Sequence, residues 1–241
     1  MQKTKKVALI GYTGLIGKII LNELKKKKIK IFKFNSKNIK KIKEKRFNEI
    51  YCAGLPAEKW KANKFPAKDK RNTLKLVNNL KKTYCNKFYL ISTIDVHKSN
   101  ETYGKNRLMF ENYIKLIFSN FLIIRLPGVF ASGLKKNIIF DLLNKKNVEK
   151  ISSYDYFQWY DLNYLVKDII RYEKKYGINK IIELYSRPIR NSEIINFFPN
   201  LKIGCSGDKK VKYNFKPKIG YYKSKKIILN RIKKFIKNYE K

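Results

Sequence analysis

Tyr103 and Arg107 stand four residues apart in a stretch, Tyr103–Phe118, whose apolar residues recur with helical spacing. Four residues is one helical turn, so the two side chains share a face. Ten residues before the tyrosine, Thr93 closes a short apolar run. A phenol, a fixed cation and a hydroxyl are the parts of an acid/base centre for carbonyl or alcohol chemistry. The cation favours the phenolate, and the hydroxyl orients the substrate oxygen. The spacing alone is weakly specific, because the chain holds 17 tyrosines and 57 lysines and arginines. The same residues also describe an ordinary solvated Tyr/Arg helix face.

A second constellation lies at the beginning of the chain. Val7–Ile10 is apolar and β-branched enough for a buried strand. Gly11, Gly14 and Gly17 follow at intervals of three, and Leu15–Leu24 continues with helical spacing (Leu15, Ile16, Ile19, Ile20, Leu24). Strand, glycine turn and helix N-terminus make a dinucleotide site: free backbone N–H groups at the positive end of a helix dipole hold a pyrophosphate. A tight strand–helix turn without ligand is the alternative.

The elements that must position these residues alternate. Strands are expected at Lys30–Phe34, Glu49–Cys52, Lys87–Ile91 and Phe121–Arg125, and helices at Asn72–Tyr84 (Leu74, Val77 and Leu80 on one stripe) and Tyr103–Phe118. This is the β-α-β pattern of a doubly wound parallel α/β sheet. After about residue 130 the pattern loosens. Helices are expected at Asn137–Leu143, Asp161–Tyr172 and Asn191–Phe198, a strand at Lys180–Leu184, and a basic amphipathic helix at Ser224–Tyr239, docked on the domain rather than on a membrane. The expected division is a dinucleotide-binding core over 1–130 and a smaller substrate-side α/β region over 131–241.

The net charge of +39 suggests polyanions. The excess is mostly lysine, however, and travels with abundant Ile, Asn, Phe and Tyr, which share AT-rich codons. Arginine, the better reader of phosphates and bases, is scarce. No specific nucleic-acid partner is expected, only weak adhesion to polyanions at low salt. Cys52, Cys85 and Cys205 form no C-x-x-C pair and fit reduced thiols in a cytoplasmic protein. His97 is the one histidine, which leaves zinc chemistry and a Ser-His-Asp triad little to build on; no metal is expected. No segment approaches the length of a membrane span. Lys3, Lys5 and Lys6 before an apolar run resemble a signal peptide, but Lys18 interrupts that run and no cleavage site follows.

Eight segments, in order, resemble the extended short-chain dehydrogenase/reductases, the NAD-dependent epimerase/dehydratase group acting on nucleotide sugars. Gly11-Tyr12-Thr13-Gly14-Leu15-Ile16-Gly17 resembles the family's glycine motif, and Ile50-Tyr51-Cys52-Ala53-Gly54 the third-strand segment on the adenosine side. Asn72-Thr73-Leu74 resembles the opening of the next helix. Ile91-Ser92-Thr93-Ile94-Asp95-Val96 resembles the segment with the active-site hydroxyl, and Tyr103-Gly104-Lys105-Asn106-Arg107 the Tyr-Gly-x-Ser-Lys motif. Arg125-Leu126-Pro127-Gly128-Val129-Phe130, Gln158–Asn163 and Ile219–Tyr222 resemble three later family segments. The resemblance implies a Rossmann fold and an NAD(P)-dependent reductase or epimerase working by hydride transfer. It implies Tyr103 as acid/base, Thr93 as the orienting hydroxyl, and Arg107 as the cation that holds ribose and lowers the phenol pKa. It places the cofactor against Gly11, Thr13, Gly14, Leu15, Ile16, Gly17, Ala53, Gly54, Pro127 and Val129, and it allows a homodimer through the tyrosine-bearing helix and its neighbour.

Four departures shape the expectation. Arg107 replaces the family's lysine, and Arg107→Lys is expected to retain or raise turnover; its loss would mean a site rebuilt around arginine. The ten-residue spacing of Thr93 and Tyr103 is short for the family. Ile94 stands where dehydratases carry an aspartate, which favours reduction or epimerisation. At the end of the second strand Asn35-Ser36-Lys37 lacks the acid that binds the adenosine ribose hydroxyls. That tilts the cofactor from NAD towards NADP. A non-catalytic NAD(P)-binding sensor or scaffold is the alternative function.

Overall fold

Apolar side chains on both faces make Lys6–Ile10 an interior strand, β1, with Val7, Ala8, Leu9 and Ile10 all buried. The computed structural model describes residues 4–98, 100–201 and 211–239; Cys205 lies outside them. The order continues α1 (Leu15–Lys25), β2 (Lys30–Phe34), β3 (Arg46–Cys52), α2 (Lys59–Lys64), α3 (Pro66–Leu80), β4 (Tyr84–Thr93), α4 (Thr102–Ile117) and β5 (Phe121–Leu126). Then come β6 (Gly128–Phe130), α5 (Ile138–Leu143), β7 (Tyr156–Phe157), β8 (Trp159–Asp161), α6 (Leu165–Tyr176), β9 (Lys180–Glu183), β10 (Ile189–Arg190), α7 (Asn191–Ile195) and α8 (Lys225–Tyr239). No helix among the described residues is long and apolar enough to cross a membrane.

The main sheet has six strands in the order β2-β1-β3-β4-β5-β9. The expected doubly wound parallel architecture is present. The strand order reverses at β1, which pairs in parallel with β2 on one side and β3 on the other. Ile10 is level with Phe34 and with Cys52, and Cys52 with Leu90. β1, β2 and β3 therefore end flush, while β4 runs three residues further, to Thr93.

The chain forms two compact units. The first comprises Met1–Arg125 and Leu165–Ile182, so α6 and most of β9 return to it from the second half. Its core includes Phe34, Phe47, Ile50, Val77, Leu80, Phe88, Phe110, Ile114 and Ile123. Glu173 of α6 accepts from Lys87 and from the Tyr89 hydroxyl, tying the returning helix to β4. The second unit, Leu126–Tyr164 and Glu183–Lys241, holds two small pairs, β6 with β8 and β7 with β10. In it the buried Gln158 carboxamide bonds Ser186 O, Phe215 O and Phe215 N–H, and α8 buries Ile228, Ile232 and Ile236.

Some boundaries differ from the sequence pattern. The helix expected over 72–84 begins at Pro66, whose missing N–H suits a first turn, and stops at Leu80. There Thr83 Oγ1 bonds back to Asn79 O, and Tyr84 opens β4. The helix expected from Asp161 begins at Leu165, because Asp161 is the last residue of β8. The α2 segment, Lys-Trp-Lys-Ala-Asn-Lys, has no apolar stripe to announce it.

Candidate active site

Two of the three glycines in the first turn are demanded by backbone proximity. Gly11 has φ +83°, and a Cβ there would fall 2.3 Å from Ala53 O. A Cβ on Gly17 would fall 2.0 Å from Gly11 O, so α1 packs against the turn only with glycine there. Gly14 is different: its absent side chain meets only Gly11 O, at 3.5 Å. Gly14 is the N-cap of α1, and no acidic residue occupies that helix's first turn. The early N–H groups of a helix have no intrahelical partner and carry positive potential. With Thr13, Leu15 and Ile16 around it, this open turn fits a pyrophosphate.

The neighbouring strand ends complete the edge. Ala53 N–H donates to Ile10 O at 2.9 Å, and a Cβ on Gly54 would fall 2.7 Å from Ile10 Cγ2. Beyond β2, Asn35 Oδ1 accepts from Lys37 N–H at 2.9 Å, and Asn35 N–H donates to Asn38 Oδ1 at 2.7 Å. Asn35 Nδ2 faces the Tyr12 hydroxyl at 3.4 Å, with Lys33 Nζ over the Tyr12 ring. The carboxamide oxygen is thus engaged locally. What the end of β2 presents is donors and cations (Asn35 Nδ2, Lys33, and the exposed Ser36 and Lys37), a set suited to a phosphate rather than to ribose hydroxyl donors.

Beyond β4, Thr93 caps a short 3-10 turn, Ile94–His97, accepting from Asp95 N–H and donating to Asp95 Oδ2, both at 3.1 Å. Gly104 lets α4 press onto that turn, since a Cβ would fall 2.1 Å from Asp95 O. Thr93 and the start of α4 are therefore joined through Asp95. The Arg107 guanidinium lies over the Tyr103 ring, 4.4 Å from its centroid, so the expected pair is brought together.

Arg107 has partners of its own. Its Nη atoms donate to Asp69 Oδ2 (2.9 Å), Asp69 Oδ1 (3.1 Å) and Pro56 O (2.6 Å), and both side chains of the pair are buried. Asn106 Nδ2 donates to the same carboxylate at 2.8 Å. Here the cation is fixed to α3. On the phenol, burial raises the Tyr103 pKa and outweighs Arg107, which lowers it as expected, while Asp95 adds to the rise. Deeper in the unit, Arg125 makes a bidentate pair with the fully buried Glu111, which also accepts from Ser92 Oγ at 2.6 Å. Pro127 and Val129 belong to the second unit, where Val129 pairs with Tyr160 and its carbonyl accepts from Asn137 Nδ2.

Asp69, Asn106, Glu111, Lys59 and Asn63 were not singled out by sequence. The available signal is scarcity: with only 18 acidic residues in the chain, each one is a candidate partner for a buried cation.

No family model matches the sequence, and no curated protein does. Solved structures match over nearly the whole length. UDP-glucose 4-epimerase of Thermotoga maritima, with UDP-glucose, aligns at TM-score 0.75 and 11% identity over 98% of each chain. The chain shares that fold. A dTDP-4-dehydrorhamnose reductase of Clostridium acetobutylicum aligns at TM-score 0.72 and 13% identity over 98% of this chain and 100% of the other. RMD of Pseudomonas aeruginosa, complexed with NADPH, aligns at TM-score 0.72 and 12% identity over 98% and 96%. At these identities the likeness is one of fold, the Rossmann-type sheet that the eight segments imply.

Proposed function

We propose that the chain binds NADP(H) along the Gly11–Gly17 turn and the Asn35–Lys37 corner and reduces a keto group on a sugar nucleotide or a similar hydroxylated substrate. One observation carries this reading. The glycine turn, the Asn35 corner, the Ala53-Gly54 crossing and the Thr93–Tyr103 centre all leave the same, carboxyl edge of the parallel strands β1–β4, around the point where strand order reverses. Ligands of doubly wound sheets bind there. The folds it shares belong to epimerases and reductases of such substrates, one of them holding NADPH.

When bound, the cofactor supplies the hydride. Tyr103 gives its phenolic proton to the substrate oxygen. The phenol is in its donor form at neutral pH, as any tyrosine is, and burial, which raises its pKa, disfavours the phenolate further. Epimerisation begins with an oxidation that needs the phenolate, so the same shift favours reduction. Thr93 directs its hydroxyl to the substrate oxygen, releasing Asp95 Oδ2. Arg107 holds the tyrosine ring in place through the stack and its Asp69 anchor. The reading places the protein in the cytoplasm, where the free thiols Cys52 and Cys85 stay reduced, and pairs two copies through α4, which exposes Leu108 and Leu116.

The test is NADPH oxidation with a panel of keto sugar nucleotides, dTDP-4-dehydrorhamnose among them. Tyr103→Phe is expected to lose turnover while retaining NADPH; unchanged turnover refutes the acid role, and tighter binding of NADH than NADPH refutes the cofactor assignment. Native mass spectrometry reads a retained dinucleotide and the oligomer together. A second reading, a dinucleotide-binding protein without turnover, is favoured by the engagement of Arg107 with Asp69. Tight NADPH binding with no turnover of the panel selects it.

A further inference from the structure

The short helix α2 is the least expected element of the first unit and makes the most specific contacts to the Thr93–Tyr103 centre. Lys59 and Asn63 are four apart and share one face, while Ala62 is buried beside them. Lys59 Nζ lies 2.8 Å from Asp95 Oδ1 and 2.6 Å from Glu101 Oε2. Asp95 is the residue whose other oxygen holds the Thr93 hydroxyl. Glu101 is the N-cap of α4, and its side chain makes no capping bond to its own helix. Asn63 supplies what the cap does not: its Oδ1 accepts the Tyr103 N–H at 3.0 Å, and its Nδ2 faces Glu101 Oε2 at 3.4 Å. The Tyr103 N–H is one of the donors that a helix start leaves unpaired, and here a side chain of another helix satisfies it.

We propose that α2 is the positioning clamp of the active site: Lys59 fixes Asp95 and with it the Thr93 hydroxyl, while Asn63 fixes the backbone of Tyr103. The proposal rests on the reductase reading above. Its logic is one of shared charge. With its carboxylate also held by an ammonium, Asp95 releases the Thr93 proton towards a substrate oxygen. Without Lys59, Asp95 loses that ammonium and holds the Thr93 hydroxyl more tightly to itself. Lys59 also sits close enough to Lys98 to help lower the Lys98 pKa, after burial, which marks its charge as concentrated at this turn. Lys59 and Asn63 are positioning residues, not catalytic ones.

The test uses the full-length protein with NADPH and the same substrate panel, and amide hydrogen exchange read by mass spectrometry. Lys59→Met is expected to lower kcat on the order of ten- to a hundredfold, as misplacement of a catalytic group does, with little change in KM and none in NADPH affinity. Lys59→Arg restores most of the loss. Asn63→Ala, the removal of an exposed side chain, is the second variant and is expected to lower kcat and speed exchange in peptides covering 93–104 while the rest of the chain is unchanged. Undiminished kcat in both Lys59→Met and Asn63→Ala overturns the proposal, as does an equal loss in Lys59→Arg and Lys59→Met with both folded. If the unmodified protein oxidises no NADPH with the panel, the reductase reading fails by itself. The clamp then stands or falls on exchange alone, and unaltered protection of 93–104 in both variants overturns it.

Discussion

Arg107→Lys, a conservative change on paper, is expected to be among the more damaging substitutions in the first unit. The guanidinium makes three hydrogen bonds, two to Asp69 and one to Pro56 O, and stacks on Tyr103. A lysine ammonium keeps the charge but not the planar fork. Losing one or two charge-assisted bonds, each about 1.5–3 kcal/mol, and a stack of about 1 kcal/mol gives a net loss of about 2–4 kcal/mol after lysine recovers part of the contact. Arg107→Met goes further, leaving Asp69 buried with Asn106 as its remaining side-chain donor, at about 3–5 kcal/mol. In a chain of this size each kcal/mol moves Tm by about 2–4 °C, so Arg107→Met is expected to melt about 10 °C lower. Arg107→Met/Asp69→Leu removes both charges and is expected to recover more than half of that loss, since replacing a whole buried pair is often nearly neutral. Far-UV circular dichroism with urea and heat reads all three variants. The reasoning is refuted if Arg107→Met unfolds at the midpoint of the unmodified protein, or if the double variant is no more stable than the single one.

Gly17→Ala is expected to abolish NADPH binding and to lower stability by about 1–3 kcal/mol, because its Cβ would meet Gly11 O at 2.0 Å; titration calorimetry and urea melts check both. Glu111→Gln is expected to cost about 3–5 kcal/mol, as it leaves Arg125 buried opposite a neutral amide; a urea midpoint within experimental error of the parent contradicts this. Alkaline pH supplies another check. Tyr103 and Tyr89 are both raised, chiefly by burial. Unfolded phenols ionise near pH 10, so the stability these groups contribute is fully present below pH 10 and is lost as pH climbs towards the folded values. Urea melts at pH 8 and pH 11 are expected to show a smaller alkaline loss in Tyr103→Phe than in the parent. Cys52 is pushed up to about 12 by burial, and iodoacetamide at pH 8 is expected to leave it unmodified in the folded protein.

The glycine turn was legible because its requirements are local: a buried strand, three glycines and a helix follow one another without interruption. The Tyr103–Arg107 pair was legible for the same reason, being one turn apart. What Arg107 does was not, because Asp69 lies 38 residues away on another helix. The same holds for Gly104, whose reason is the Asp95 carbonyl on a different segment. The α2 clamp gave no periodic signal, since its six residues are polar apart from Trp60 and Ala62 and it is held by side-chain contacts rather than an apolar stripe. Scarcity was the better guide. Of eight arginines among 57 basic residues, Arg46, Arg107, Arg171, Arg187, Arg190 and Arg231 stack on tyrosines, and Arg125 holds Glu111. Where lysine suffices as a solvated charge, arginine remains where a flat, forked cation is required.

The return of α6 and β9 to the first unit sets an order of events during synthesis. The strand that covers the open side of β5, and the Glu173 that receives Lys87 and Tyr89, reach the sheet only after the intervening segment from residue 126 to 164 has been made. At about 5–20 residues per second, the nascent sheet waits several seconds with β5 as an uncovered edge, the kind of edge that invites pairing with another chain. A stop or a stall shortly after Arg125 leaves that edge without its cover. Fragments ending there are expected to aggregate, and the full chain, in which β9 covers β5, to stay monodisperse.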